Sequence, residues 1–262
     1  MNAEYRALLE TARLAARQAA EIILKVYATP FDVRHKSDKS PVTLADEQAE
    51  RLIVAALKKA APGIPVIAEE EQAAMVSGTW GEQAAAPPRF WLVDPLDGTK
   101  GFVAREDEFT VNIGLVENHR PVLGVIGVPV KNLVYAAAGP GTATRQSGDG
   151  TPEPISARAA PENPVVLTSR LNGRSRRIDA YLATLPAGTE HRQMGSAVKF
   201  CLLAEGTGDH YPRYGETHEW DTAAGQAILE AAGGSVTTIE GAPFRYGKPR
   251  YLNPGFIARG KT

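Results

Sequence analysis

Residues 90–99 read Phe-Trp-Leu-Val-Asp-Pro-Leu-Asp-Gly-Thr, an apolar run that ends in two carboxylates three residues apart. The run predicts a strand. A fold built around it must bring that pair of charges to a sheet edge, where strands meet loops and helices. Two carboxylates so placed can hold two hard divalent cations close together. Phosphate-ester hydrolysis needs such a pair, because charge builds on both the attacking and the leaving oxygen. The same letters also spell a turn, since Asp-Gly after hydrophobic residues is a common turn signal. The segment alone leaves both readings open.

The chain has 262 residues, enough for one large domain or two closely packed ones. Its net charge of −1 supplies no basic field for a nucleic acid polymer. Any phosphate ligand must therefore be attracted by local charges and metal. The single cysteine, Cys201 in Lys-Phe-Cys-Leu-Leu, excludes an intramolecular disulfide and reads as a buried structural thiol. The polar start Met1-Asn-Ala-Glu-Tyr-Arg is unlike a signal peptide, and no run of 18 apolar residues exists. The expectation is a cytoplasmic protein without a transmembrane segment; peripheral attachment at the inner membrane stays open.

Periodicity predicts a helix over 3–28, with Leu8, Leu9, Ala12, Ala15, Ala16, Ala19, Ile22, Ile23 and Val26 on one face. A second helix starts at Thr43, a plausible N-cap, with Asp46 in its first turn. Residues 64–68 read as a short strand ending at Glu69-Glu70-Glu71, and 72–88 as a surface loop. Strands follow at 90–93, 110–117, 122–129 and 133–138, with Arg120-Pro121 breaking the second from the third; short turns between them suggest a largely antiparallel sheet. The Gly-, Thr-, Ser- and Pro-rich stretch 139–161 is the best subdomain junction. This gives an N-terminal α+β subdomain over 1–155 with a mostly antiparallel sheet, and a C-terminal α/β subdomain over 156–262. In the second half, 165–169 reads as a strand, 174–185 and 196–205 as helices, 209–214 as an extended segment and 220–232 as a helix stopped by Gly233-Gly234. The fold class is an α+β or α/β layered sandwich with alternating α-β-α-β-α layers.

Acidic residues recur where strands or loops meet helices: Asp46, Glu69-Glu70, Asp94 with Asp97, and Asp221. Mg²⁺ prefers oxygen ligands and keeps several waters, so carboxylates from separate elements converging at one sheet edge would suit it, with the Leu96 carbonyl as a further donor. Taken singly, each has a plainer reading: Asp46 and Asp221 favour the first turns of their helices, and the glutamate run is a solvated face. The five histidines show no pair at ligand spacing, the Gly-x-Ser-x-Gly elbow is absent around Ser196, and Gly139-Pro-Gly141 lacks the Lys and Ser/Thr of a P-loop.

Asp94-Pro-Leu-Asp97-Gly98-Thr99 and, far downstream, Trp220-Asp221-Thr-Ala-Ala-Gly225 resemble the two signature segments of the inositol monophosphatase superfamily, with Glu69-Glu70 upstream in the expected order. The likeness runs from Lys36 to Leu252-Asn-Pro-Gly-Phe256. Within it the chain looks most similar to the bacterial 3′(2′),5′-bisphosphate nucleotidases of sulfate assimilation, through Ser40-Pro-Val-Thr43 with Asp46, Glu108-Phe-Thr-Val-Asn-Ile113, Gly195-Ser196-x-x-Lys199-Phe-Cys201-Leu, Ala204-Glu-Gly206 and Tyr211-Pro212-Arg213. Gly101 departs from the glutamate often found there, and the 72–88 stretch is longer than expected.

The resemblance implies an inositol-monophosphatase-like fold and an Mg²⁺-dependent, often lithium-sensitive phosphatase holding two or three ions. Glu69, Asp94 and the Leu96 carbonyl would bind the first ion, and Asp94, Asp97 and Asp221 a second. Asp46 and Thr99 would position and activate the attacking water, with Glu69-Glu70 in the same network. The Gly98 and Thr99 N–H groups would meet the phosphate, and Ser196, Lys199 and Arg213 the nucleotide; Leu96, Asp97 and Asp221 would also border the substrate. The implied substrate is adenosine 3′,5′-bisphosphate or its sulfated form, handled by a monomer or homodimer. An inositol phosphate or fructose bisphosphate phosphatase on the same scaffold is the alternative within enzymes, and a cation- or nucleotide-binding regulator without turnover is the alternative outside them.

Overall fold

The computed structural model describes residues 2–35, 41–76, 86–170 and 175–261. Lys36 and Ser40, which carry part of the sequence likeness, fall outside these residues, as do 77–85 of the expected surface loop and Arg174. No helix among the described residues is long and apolar enough to cross a membrane.

Helix α1 (Ala3–Tyr27) is capped by the Asn2 side chain, which accepts the Tyr5 N–H at 2.8 Å. Its inner face is mostly alanine, with Ala12, Ala15, Ala16 and Ala19 fully buried, so α1 lies close on its neighbours. A two-residue pair, β1 (Arg34–His35) with β2 (Pro41–Val42), leads into helix α2 (Leu44–Ala60). Thr43 caps α2 as expected, in a capping box whose return arm is Asp46. Strand β3 (Val66–Ala68) then runs directly into helix α3 (Glu69–Val76). Residues 72–76 of the expected loop are therefore helical. Three glutamates at the start of α3 favour its positive end, and their local polarity hid the helix in the sequence.

Strand β4 (Arg89–Asp97) pairs parallel with β3 and antiparallel with β5 (Thr110–Glu117). Between them lies the short helix α4 (Thr99–Val103). β6 (Arg120–Val128), β7 (Leu133–Ala138), β8 (Thr144–Ser147) and β9 (Glu153–Pro154) continue antiparallel, completing a seven-stranded sheet in sequence order β3 to β9. Arg120-Pro121 does not break the run. The turn is Asn118-His119, both with positive φ, and Pro121 sits inside β6 beside a register shift at Leu115/Val116. An irregularity of this kind lets a ladder tolerate a residue without an N–H.

The chain then crosses to a five-stranded sheet of order β11-β10-β12-β16-β14. Its members are β10 (Val165–Ser169), β11 (Glu190–Met194), β12 (His210–Arg213), β14 (Ser235–Thr238) and β16 (Phe256–Arg259), with helix α5 (Arg176–Leu182) between the first two and α6 (Val198–Ala204) following β11. A small pair, β13 (Thr217–His218) with β15 (Leu252–Asn253), flanks helix α7 (Ala223–Ala231).

Helices α1 and α2 cover one face of the first sheet, and α6 and α7 fill the space between the two sheets. β4 shows why its sequence is apolar throughout. Trp91 and Val93 enter the core under α1 and α2, whereas Phe90 and Leu92 enter the core around α6 and α7. Side chains alternate along a strand, so one buried on both sides reads as a continuous apolar run. The α7 contact depends on glycine in the strands. A Cβ at Gly124 would stand 2.2 Å from the Ala224 carbonyl oxygen, and one at Gly114 would stand 2.9 Å from Ala223 Cβ.

Candidate active site

Asp94 and Asp97 differ by an odd number of residues, so an unbroken strand would send them to opposite faces. The structure solves this with a bulge. Asp94 pairs with Asn112 and Asp97 with Thr110, so three steps on β4 face two on β5. The extra residue turns both carboxylates toward the same end of the sheet. The Leu96 N–H donates to Asp94 Oδ1 at 3.0 Å, fixing the bend. Residues 94–98 thus form a turn that also presents two carboxylates. Gly98, with φ of 98°, completes it and starts α4 at Thr99.

Three carboxylates from three distant elements meet there. Oxygens of Glu69, the first residue of α3, of Asp94 and of Asp221 all lie within 4.8 Å of one another. Asp221 ends a 3-10 turn, Glu219–Asp221, just ahead of α7. Its Oδ2 accepts the His218 N–H at 2.8 Å. The turn is held by the buried Glu219, which accepts the Gly247 and Lys248 N–H groups at 2.7 and 2.8 Å, and by Asn253 Nδ2, which donates to the His218 carbonyl at 2.6 Å. Burial, together with the charges of Asp97 and Glu69, pushes the Asp221 carboxyl well above the usual carboxylate range; the His218 N–H and Arg213 oppose the rise. The donors are all oxygens from anionic groups, which suits Mg²⁺ and not a thiolate- or imidazole-seeking metal.

Asp97 stands beside this trio and lines the same cavity as Asp221. Its Oδ2 accepts the Ala197 N–H at 2.5 Å and Asn112 Nδ2 at 3.4 Å. Burial raises its carboxyl, against the opposing pull of Lys199, Asn112 and the Ala197 N–H.

Asp46 is buried on the first turn of α2. Its Oδ2 accepts the Thr43 N–H at 2.8 Å and the Thr43 hydroxyl at 2.6 Å; Oδ1 lies 3.1 Å from Thr99 Oγ1, within donating reach. Thr99 Oγ1 is also 3.1 Å from the Leu96 carbonyl. A hydroxyl has one proton and two acceptor lone pairs, so it can serve one of these oxygens at a time. Glu70 follows Glu69 in the first turn of α3, where its N–H donates to Glu50 at 2.7 Å.

A cavity of about 240 Å³ opens beside these groups, bordered by Asp97, Gly98, Ser196, Arg213 and Asp221. Ser196 takes a left-handed conformation, φ 49°, at the head of α6. Arg213 ends β12, with Nε donating to the Gly215 carbonyl at 3.3 Å and Nη2 to that of Glu216 at 3.1 Å. Lys199, the third residue expected at the nucleotide, also borders the cavity. It is buried and donates to the carbonyls of Met194, Gly195 and Ser196 at 3.2, 2.9 and 2.5 Å. An ammonium has three protons, and all three are taken. Burial lowers its pKa to about 7, with Asp97 opposing. Lys199 therefore shapes the 194–196 turn, whose outward N–H groups reach Asp97 from Ala197 and Glu108 Oε2 from Gly195 at 2.7 Å.

Two groups escaped the sequence reading. Asn112 lies beneath Asp97 on β5, and Glu50 lies on α2. Glu50 follows Asp46 by four residues and so shares its helix face, but the backbone N–H groups it binds carry no sequence signal.

Comparisons with known proteins give the chain clear relatives along nearly its full length. The model of the inositol monophosphatase family matches residues 4–259. The 3′(2′),5′-bisphosphate nucleotidase CysQ of Escherichia coli O157:H7 is 44% identical over 248 residues, covering 92% of this chain and 95% of the relative. The nucleotidase of the same name from Buchnera aphidicola is 38% identical over 264 residues, covering 98% and 96%. Among solved structures, CysQ from Bacteroides thetaiotaomicron, a bacterial member of the inositol monophosphatase family, superposes with a TM-score of 0.80 at 38% identity, covering 97% of each chain. An inositol monophosphatase from Zymomonas mobilis gives 0.77 at 25% identity, covering 100% of this chain and 95% of that one. The overall likeness of fold to solved members and the sequence likeness along nearly the full length point one way: this chain belongs to the inositol monophosphatase family.

Proposed function

We propose that this chain is an Mg²⁺-dependent 3′(2′),5′-bisphosphate nucleotidase that removes the 3′-phosphate of adenosine 3′,5′-bisphosphate, leaving AMP and phosphate. The observation that carries the reading is its 44% identity, across almost all of both chains, to a curated nucleotidase of that name. The carboxylate trio at the mouth of a cavity bordered by Arg213 and Ser196 supports it. The sulfated form of the same nucleotide is a second substrate. The enzyme acts in the cytoplasm, as a monomer or homodimer, and holds two or three ions.

In this reading Glu69, Asp94 and the Leu96 carbonyl hold one ion, and Asp94, Asp97 and Asp221 another. Mg²⁺ bound there neutralises phosphate charge and acidifies water. The chain's own groups do the rest. Thr99 Oγ1 accepts a proton from the attacking water while passing its own to Asp46 Oδ1, 3.1 Å away. Asp46 suits that role, because the two Thr43 bonds on its other oxygen hold it in place. Gly98 and Thr99 offer backbone N–H groups to the phosphate, and Ser196 and Arg213 meet the nucleotide. Lys199 contributes indirectly, by fixing the turn that carries Ser196. Positioning and charge neutralisation suffice for phosphoryl transfer, with no covalent intermediate.

One substrate panel tests this. With Mg²⁺ present, phosphate release from adenosine 3′,5′-bisphosphate should exceed release from inositol 1-phosphate and fructose 1,6-bisphosphate by at least an order of magnitude. Equal or reversed rates would assign the site to a sugar or inositol phosphate, and Mg²⁺-dependent nucleotide binding without turnover would make the chain a regulator.

A further inference from the structure

The first turn of α3 carries Glu69, and it follows a residue whose side chain has no acceptor to cap it. The residue before it is Ala68, and the opening N–H groups of any helix lack partners within the helix. The partner comes from another helix. Glu50 of α2 turns both carboxylate oxygens onto this turn, with Oε2 accepting the Glu70 N–H at 2.7 Å and Oε1 the Glu71 N–H at 2.9 Å. Glu50 is only 7% exposed. A buried carboxylate is a costly choice for a cap that a serine or threonine at the helix start could supply. Its benefit lies in geometry. Two bonds from one rigid group fix the direction of the turn as well as satisfying it.

Glu50 sits one helical turn beyond Asp46 on the same buried face of α2. α2 thereby reaches both sides of the site, with Asp46 beside Thr99 and Glu50 under the turn that aims Glu69 at Asp94 and Asp221. We propose that Glu50 is a positioning residue for the metal centre: its carboxylate clamps the α3 N-terminus so that Glu69 stands within cation-sharing distance of Asp94 and Asp221. The inference rests on the reading of that trio as an Mg²⁺ site.

The test titrates Mg²⁺ alone into wild type, Glu50→Gln and Glu50→Asp by calorimetry, with melting curves in EDTA and a KM for the nucleotide at saturating Mg²⁺. Glutamine keeps the shape but turns an amide NH₂ toward one of the two N–H donors. Glu50→Gln should bind Mg²⁺ about 10–100-fold more weakly, the usual effect of losing a group that orients a ligand. Its melting temperature in EDTA should stay within a few degrees of wild type, its KM should change less than about twofold, and added Mg²⁺ should restore turnover. Glu50→Asp, which keeps the charge on a shorter arm, should fall between the two and also serves if the glutamine variant does not fold. Unchanged Mg²⁺ affinity in both variants would overturn the proposal, as would weaker binding that merely tracks the fraction unfolded. Failure of the wild type itself to bind Mg²⁺ would instead overturn the metal-site reading.

Discussion

Replacing Asp221 with asparagine should make the Mg²⁺-free protein more stable while abolishing its activity. Asp221 shares a 4.8 Å cluster with Glu69 and Asp94. At an effective dielectric of ~20, one like-charge pair at that distance repels by about 3.5 kcal/mol. Two such pairs overstate the cost, because the carboxyl can take up a proton instead. Holding it protonated at pH 7, against an ordinary value of 3.8, costs about 4 kcal/mol and sets the ceiling. Solvent reaches Asp221 in part, so about 2 kcal/mol is expected to be recovered, a rise of roughly 4–8 °C in melting temperature for a chain of this size. The amide oxygen can still accept the His218 N–H, so the turn is kept. The sign with pH follows. A carboxyl raised in the folded state binds a proton there that the unfolded chain has already lost. Wild-type stability without Mg²⁺ should therefore fall as pH rises from the ordinary carboxylate range toward the raised value, and the variant should lack that part of the slope. Scanning calorimetry of both proteins in EDTA across pH 5–8, repeated with Mg²⁺, measures this. Mg²⁺ at ~100 times its dissociation constant should stabilise wild type by about 2.7 kcal/mol per ion and the variant by less, since the variant keeps Glu69, Asp94 and the Leu96 carbonyl but loses a ligand of the second ion. A variant that melts at or below wild type in EDTA, or that keeps the full Mg²⁺ shift, would refute the argument.

Thr99→Val should fold and bind nucleotide normally but lose about 10²–10³-fold in kcat with KM little changed, as steady-state kinetics would show, because the hydroxyl that reaches Asp46 is gone. Gly124→Ala should leave the site chemistry intact yet destabilise the protein by about 3 kcal/mol, a drop of roughly 6–12 °C in a thermal melt, since its Cβ would stand 2.2 Å from the Ala224 carbonyl oxygen and must push α7 off the sheet.

The layers were legible because burial writes itself into periodicity. The alanine face of α1, the capping box at Thr43 and the run 110–138 all carried patterns set by local geometry. The carboxylates were legible as residue types at element ends, and the likeness to a known family put them in one place. Three things were not legible, each because it depends on the backbone. The bulge that turns Asp94 and Asp97 the same way is a matter of register with β5. The sequence does not show that Lys199, in the first turn of α6, gives its protons to three carbonyls of the preceding turn. Glu50 looked like one more polar residue on α2, because the groups it binds are the N–H groups of residues 70 and 71, which any sequence would offer.

The bond between Ala197 and Asp97 spans 100 residues, and that between Gly195 and Glu108 spans 87. At ~5–20 residues per second of synthesis, roughly 5–20 s separate the emergence of Asp97 from that of its partner. During that interval the first sheet can fold, but its acidic edge has neither the N–H that holds Asp97 nor Asp221. Contacts so far apart in the chain close last, after loop entropy has been overcome. On the proposed site assignment, the nascent protein should therefore stay catalytically silent until residues 195–221 join the first sheet.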